Sequence, residues 1–206
     1  MSFTVEKAIK WLEKINEKIQ ENKQYLTKLD QPIGDGDHGI NMARGFQEVV
    51  TIVNEKEYDT VSDVMKATAM TVMSKVGGAS GPLYGTAFLK MSLAFKEKEV
   101  IDDATFIHGL EEALNGIKQR GRAIHGEKTL VDVWEPVVNK LKQENNFQAD
   151  LILNTAKAAM EKTKETMATK GRAAYFKENS IGHIDPGSAS SFYLFEALAE
   201  VLEEEK

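Results

Sequence analysis

The sequence predicts an all-α protein, an eight-helix antiparallel up-and-down bundle or barrel. Apolar residues recur at three- and four-residue spacing almost throughout, only four prolines interrupt 206 residues, and no stretch alternates with period two for long enough to be a strand. Val5, Ala8, Ile9, Leu12, Ile15 and Ile19 form one face of a first helix that runs to about Lys28, with Lys and Glu opposite. Ile40, Ala43, Phe46, Val50 and Val53 give a second helix. Val61, Val64, Met65, Ala69, Val72 and Met73 give a third, opened by the capping pattern Thr60-x-x-Asp63. Pro82 suits the first turn of a fourth through Phe88 and Met91 to about Phe95. Phe106, Ile107, Leu110, Ala113, Leu114 and Ile117 stripe a fifth. Thr129-x-x-Asp132 opens a sixth through Trp134, Val138 and Leu141, where Pro136 predicts a kink. Ala149, Ile152, Ala156, Ala159, Thr163 and Met167 predict a seventh, and residues 188 to about 202 an eighth. Met65, Met70, Met73 and Met91 read as core packing.

The length suits one domain over residues 1–206. No apolar run approaches the ~18 residues of a membrane span, and the charged N-terminus has no secretory h-region. Without cysteine there are neither disulfides nor thiolate metal sites, which fits a cytoplasmic setting. A net charge of -6, spread along the chain, excludes nucleic acid as the expected partner.

Two kinds of connection alternate. Those after the first, third, fifth and seventh helices read "LDQPIGDGDHG", "VGGASGP", "QRGRAIHGEKT" and "KGRAAYFKENSIGHIDPGS"; those after the second, fourth and sixth read "NEKEYDT", "EKEVIDD" and "QENNFQA". Every loop glycine falls in the first set. In an up-and-down bundle that set lies at one end, with Asp30, Asp35, Asp37, Arg172, His38, His125 and His183 and the N-termini of four helices. Helix N-termini present unpaired N–H groups and partial positive charge, and glycine lets backbone approach a ligand. Such an end is built for an anion, and the aspartates beside it are reconciled by hard divalent cations that bridge carboxylate and phosphate oxygens.

Each motif also has a plainer reading. Aspartates in loops form turns, caps and solvated charge, and Asp37 is placed to cap the second helix. An EF-hand calcium loop is excluded, because Gly39, Ile40 and Phe46 occupy its fifth, sixth and twelfth positions. "GRAIHGEKT" resembles a P-loop, but Glu127 stands where the lysine belongs, one residue ahead of Lys128, and no strand precedes it. A glycine turn with Thr129 as the N-cap is the simpler reading. "VGGASGP" is a helix end and turn, yet Ser80 and the helix start at Pro82 suit a phosphate oxygen. The histidines form no Ser/His/Asp or His-x-x-x-His arrangement.

At "IGDGDHGINM", "VGGASGPLYGT", "GEKTLVDVW" and "SIGHIDPGS" the chain closely resembles the nucleotide-binding L-subunit family of dihydroxyacetone kinases, over its whole length and with the motifs in the same order. The resemblance implies a barrel of eight antiparallel helices holding ADP/ATP and two Mg²⁺ at one end. It implies Asp30, Asp35 and Asp37 as metal ligands, and His38, Gly39 and Asn41 at the nucleotide. Ala79 and Ser80 match the phosphate-contacting loop; Gly121, Thr129, Leu130, Arg172, Asp185, Pro186 and Gly187 match the surrounding wall and lid. A sequence ending at Lys206 resembles the separate subunit rather than the long single-chain kinase. In that type ADP is tightly bound, takes a phosphoryl group from a phosphohistidine subunit of the phosphotransferase system, and passes it to dihydroxyacetone held covalently on a partner subunit. No catalytic residue is expected on this chain, and any base would sit on the partner. A homodimer is also expected. Two other readings stay open: a related kinase using exchangeable ATP on another acceptor, and a non-enzymatic sensor whose nucleotide state acts on a partner protein.

Overall fold

The computed structural model describes residues 2–144 and 146–203; Met1 of the N-terminal reading, Asn145 of the sixth connection and the terminal Lys206 lie outside the described residues. Among the described residues the elements are α1 (Val5–Glu21), α2 (Lys23–Asp30), α3 (His38–Asn54), α4 (Val61–Lys75), α5 (Ser80–Phe95), α6 (Asp103–Gly121), α7 (Val131–Glu144), α8 (Ala149–Lys162) and α9 (Pro186–Glu203), with 3-10 turns at Thr163–Glu165 and Arg172–Ser180. They contain no strand. Consecutive helices from α3 to α9 pack side by side, α1 packs on α3, and α1 also packs on α9, so the staves close into a ring.

The predicted stripes fill this ring. Trp11 on α1 lies 6.0 Å from both Phe88 on α5 and Phe106 on α6, and its indole N–H donates to the Leu194 carbonyl of α9 at 2.9 Å. On the other side Trp134 of α7 meets Phe195 of α9 edge-on at 5.0 Å. Each large apolar side chain buried this way contributes about 1.5–3 kcal/mol relative to exposure, so the ring's stability resides along the staves and not in the connections at its ends. Thr60 caps α4 as expected, its hydroxyl accepting from Asp63 N–H and donating to the Asp63 carboxylate.

Four expectations need correction. The first helix is two: the Asn22 side-chain amide and backbone N–H both donate to the Lys18 carbonyl, and this local pairing competes with helix continuation. The second of the two runs through Asp30, which ends a helix instead of lying in the connection. The seventh helix stops at Lys162, five residues short of Met167, because Thr163 turns its hydroxyl back onto the Met160 carbonyl and the chain tightens into a 3-10 turn. Met70 and Met73 face outward on α4, 64% and 40% exposed, whereas Met65 and Met91 are in the core. Pro136 lies within α7 and lacks the N–H that would bond the Asp132 carbonyl.

Candidate functional site

The connections α2–α3, α4–α5, α6–α7 and α8–α9 meet at one end of the ring, as their parity requires. Together they line a continuous trough. Its polar part, about 700 Å³, is bordered by Asp30, Asp35, Asp37, His38, Asn41, Ala79, Ser80, Arg172 and Tyr175. Its apolar part, about 330 Å³, is walled by Leu83, Ile117, Ala123, Leu130 and Val131, with Ala79, Gly121 and Thr129 at its edge. A narrower passage of about 160 Å³ joins them past His38, Ser80, Leu130, Asp185, Pro186 and Gly187. A separate cavity of about 770 Å³ opens between α7 and α8, lined by His125, Pro136, Asn154 and Lys162. It is larger than any single part of the trough but holds no carboxylate cluster, so the trough is the candidate site.

Carboxylate oxygens of Asp30, Asp35 and Asp37 all lie within 4.8 Å of one another. The three differ in what else they do. One oxygen of Asp30 accepts the backbone N–H groups of Asp37 at 2.9 Å and His38 at 3.1 Å, so Asp30, reaching across the turn, serves the start of α3. Asp37 makes no side-chain cap bond, which corrects the capping role expected for it. Gly34 is required here, because a Cβ on it would stand 1.9 Å from the Asp30 carboxylate. Asp35 is exposed and pairs with the Arg172 guanidinium at 2.7 Å. With three hard oxygen donors converging and few of their oxygens committed, the set fits a divalent cation of the Mg²⁺ type.

Four helices start at the trough, but they are not equivalent. Asp30 occupies the first N–H groups of α3; Asp132 accepts from Thr129 N–H at 2.7 Å before α7, where the Thr129 hydroxyl also accepts from Val131 N–H at 3.2 Å; Asp185 accepts from Ser188 N–H at 2.7 Å on α9. No side chain caps α5, which follows Ala79. Among the described residues its first turn is thus the one of the four that no side chain caps, and it can receive an external anion.

His38 lies beneath the polar part. One ring nitrogen faces the Ser80 hydroxyl at 3.2 Å and the other the Ser190 hydroxyl at 2.9 Å. Ser190 bonds Tyr84 at 2.7 Å, Tyr84 bonds Ser191 at 2.7 Å, and the Trp134 indole donates to Ser191 at 3.1 Å. Burial pushes the imidazole down to about 4, against the opposing charge of Asp30, so His38 is neutral at physiological pH. Asp185 is buried as well, and desolvation raises its carboxyl to about 7 despite the Ser188 bonds.

Of the residues expected at the site, Gly39 alone is turned elsewhere: it packs on α2, where a Cβ would stand 2.1 Å from the Lys23 carbonyl. His125 borders the α7–α8 cavity, and His183 contributes its backbone carbonyl to Lys128. The sequence reading missed the serine pair of α9, whose only signal is the polar run "SASS" in an otherwise apolar helix, and Lys128.

Residues 32–200 match the DAK2 domain family. This chain belongs to the DAK2 domain family. It is 53% identical over 200 residues to the PEP-dependent dihydroxyacetone kinase 1, ADP-binding subunit DhaL of Listeria innocua serovar 6a, covering 97% of this chain and 98% of that one. It is 50% identical to the PTS-dependent dihydroxyacetone kinase, ADP-binding subunit DhaL of Lactococcus lactis subsp. lactis, covering 97% and 99%. The Escherichia coli K12 PEP-dependent dihydroxyacetone kinase, ADP-binding subunit DhaL is 38% identical over 205 residues, covering 97% and 98%. The fold matches the dihydroxyacetone kinase of C. freundii, solved in complex with AMP-PNP and Mg²⁺, with a TM-score of 0.77 at 21% identity; the match covers 94% of this chain and 33% of that longer one. No helix among the described residues is long and apolar enough to cross a membrane.

Proposed function

We propose that this DAK2 chain is the ADP-binding subunit of a phosphotransferase-system-dependent dihydroxyacetone kinase, working in the cytoplasm with a dihydroxyacetone-binding subunit and a phosphohistidine donor subunit. The observation that carries the reading is the trough itself, in which a cluster of three carboxylates and an uncapped helix start open onto an apolar recess sized for a nucleobase. The diphosphate is assigned to the first turn of α5 beside Ser80, and the base to the recess walled by Leu83, Ile117, Leu130 and Val131. Asp30, Asp35 and Asp37 would hold two Mg²⁺, which supply charge neutralisation of the phosphoryl oxygens. Arg172 reaches over the polar part from the α8–α9 connection.

What the protein's own groups contribute is alignment. Phosphoryl transfer is catalysed mainly by positioning and charge stabilisation, so a site of backbone donors and metal ligands suffices without a nucleophile on this chain. His38 is neutral and committed to Ser80 and Ser190, which suits it to orient the Ser80 hydroxyl and not to carry the phosphoryl group. Held there, the nucleotide would serve as a bound cofactor, ADP accepting a phosphoryl group from the phosphohistidine donor subunit and the resulting ATP giving it up to dihydroxyacetone on the partner subunit.

Protein purified without added nucleotide and then denatured should release ADP in near-stoichiometric amount, and the bound ADP should exchange slowly with labelled ADP. An empty site that exchanges ATP rapidly would refute the cofactor role.

A further inference from the structure

We propose that Lys128 is a positioning residue of the nucleotide site, whose ammonium ties the 163–183 segment down over the trough and thereby sets how long a bound nucleotide stays. The proposal rests on the nucleotide reading above for its second half. Lys128 is 1% exposed, a rare state for lysine, and among the described residues its ammonium forms no salt bridge with a carboxylate. It donates instead to four backbone carbonyls: Thr163 at 2.7 Å, Thr166 at 3.1 Å, Ser180 at 2.7 Å, and His183. Those carbonyls lie 35 to 55 residues away in sequence, at both ends of one irregular stretch. The side chain reaches them because Lys128 adopts φ +62°, a left-handed backbone that non-glycine residues seldom take.

The segment's own apolar anchor is small, Ala168 and Ala173 against Ile33 with Phe176 packed alongside. Among the described residues its other ties are Ala168 N–H to the Ser180 hydroxyl at 2.8 Å, Gly182 N–H to the Lys164 carbonyl at 2.7 Å, Asp185 N–H to the Thr163 hydroxyl at 3.0 Å, the Thr169 bonds to Glu127 at 3.3 Å, and the exposed Arg172–Asp35 pair. Between the two clamped ends the chain carries Lys170, Gly171 and Arg172 onto the trough. An ammonium has three N–H donors, enough for four acceptors when one bond is shared, and it suits a closed ring of carbonyl oxygens where a neutral side chain would leave several of them unpaired and buried. Burial disfavours the charge, while Asp185 and Asp132 favour it. Sequence position adds to the case: Thr129, the next residue, and Glu127, which accepts from Thr169 N–H at 3.3 Å, tie the same loop to α7 and to the segment.

The test is Lys128→Met, compared with wild type by amide hydrogen exchange without ligand and by the rate of MgADP release. The amides of Ala168, Gly182 and Asp185 should exchange faster by at least about tenfold, the scale of one lost charge-assisted bond, while α4 and α5 amides keep their protection. MgADP release should speed up by a similar factor. Unchanged exchange in the segment overturns the clamp, as does acceleration spread equally over α4 and α5; a loosened segment with unaltered MgADP release overturns the link to the site. Failure of the wild type to bind MgADP would instead strike the nucleotide reading. If Lys128→Met does not yield folded protein, Lys128→Arg keeps the charge but carries it on a wider planar head that does not seat among the four carbonyls. It should give the same pattern at smaller size, and wild-type exchange in the segment refutes the proposal.

Discussion

Truncating Asp30 and truncating Asp35 should have equal consequences for ligand and very different consequences for the fold. Asp30 accepts two backbone N–H groups at the start of α3, so Asp30→Ala leaves both without their partner. Hydrogen bonds to charged groups are worth about 1.5–3 kcal/mol each and loss of a helix cap about 0.5–2 kcal/mol. The two bonds share one carboxylate, so a combined cost of about 2–4 kcal/mol is expected rather than their full sum. For a domain of this size each kcal/mol moves Tm by about 2–4 °C, which puts Asp30→Ala roughly 5–15 °C below wild type. Asp35 touches only Arg172, through a pair in which both side chains are more than a third exposed. Exposed pairs contribute about 0–1 kcal/mol, so Asp35→Ala should stay within about 4 °C of wild type. Both variants should nevertheless lose MgADP affinity by about 100-fold or more, since even outer-shell changes at metal sites cost 10–100-fold. Thermal unfolding followed by helical circular dichroism in EDTA, paired with titration calorimetry in Mg²⁺, reads both quantities. The reasoning fails if Asp35→Ala binds MgADP within about threefold of wild type, or if the two variants unfold at the same temperature.

His38 has its folded-state pKa near 4 against an ordinary value of 6.5, so the unfolded chain binds the extra proton first. Its contribution to stability is complete above pH 6.5 and is lost as pH falls toward 4, by up to about 3 kcal/mol; a His38 ring titrating by NMR between pH 6 and 7 would contradict this. Asp185 runs the other way, because its folded pKa near 7 exceeds the ordinary 3.8. Its carboxyl favours the folded state at low pH, and that preference declines as pH rises through 7, so Asp185→Asn should gain stability relative to wild type at pH 8 compared with pH 5. Parallel stability curves for the two proteins would refute the burial argument. Gly39→Ala should destabilise by about 1–3 kcal/mol through overpacking on α2, with MgADP affinity unchanged once the protein is folded; a selective loss of affinity in calorimetry would place Gly39 at the nucleotide after all.

Helix stripes and connection parity were legible in the sequence because both follow from local, periodic constraints. Leu110, Ala113, Leu114 and Ile117 must share a face at 3.6 residues per turn, and short connections must return the chain to the same end. The carboxylate cluster was legible for the same reason, being held within eight positions. What escaped were contacts whose partners are distant and aperiodic. Nothing near Lys128 announces that its ammonium will meet carbonyls on the far side of α8, and the neighbouring match to a failed P-loop drew attention to the wrong chemistry. Nor does spacing reveal that Asp30 and Asp185 spend their carboxylates on helix starts, although the Thr129-x-x-Asp132 pattern did announce Asp132. Reading four equivalent N-termini where side chains cap three is the cost of treating each helix end separately from the side chains folded onto it.

That difference bears on how an acidic protein holds an acidic ligand. The polar part of the trough brings three carboxylates against one basic side chain, Arg172, leaving two negative charges uncompensated before any phosphate enters. A diphosphate alone would meet net repulsion there, since one open helix start supplies only about half a unit of positive charge. Cation and nucleotide must therefore bind as a coupled pair, and coupling is reciprocal: whatever factor Mg²⁺ adds to ADP affinity, ADP adds to Mg²⁺ affinity. Retention of ADP then depends on retention of metal, and a chelator should release the nucleotide without unfolding a ring whose apolar core runs the length of the staves.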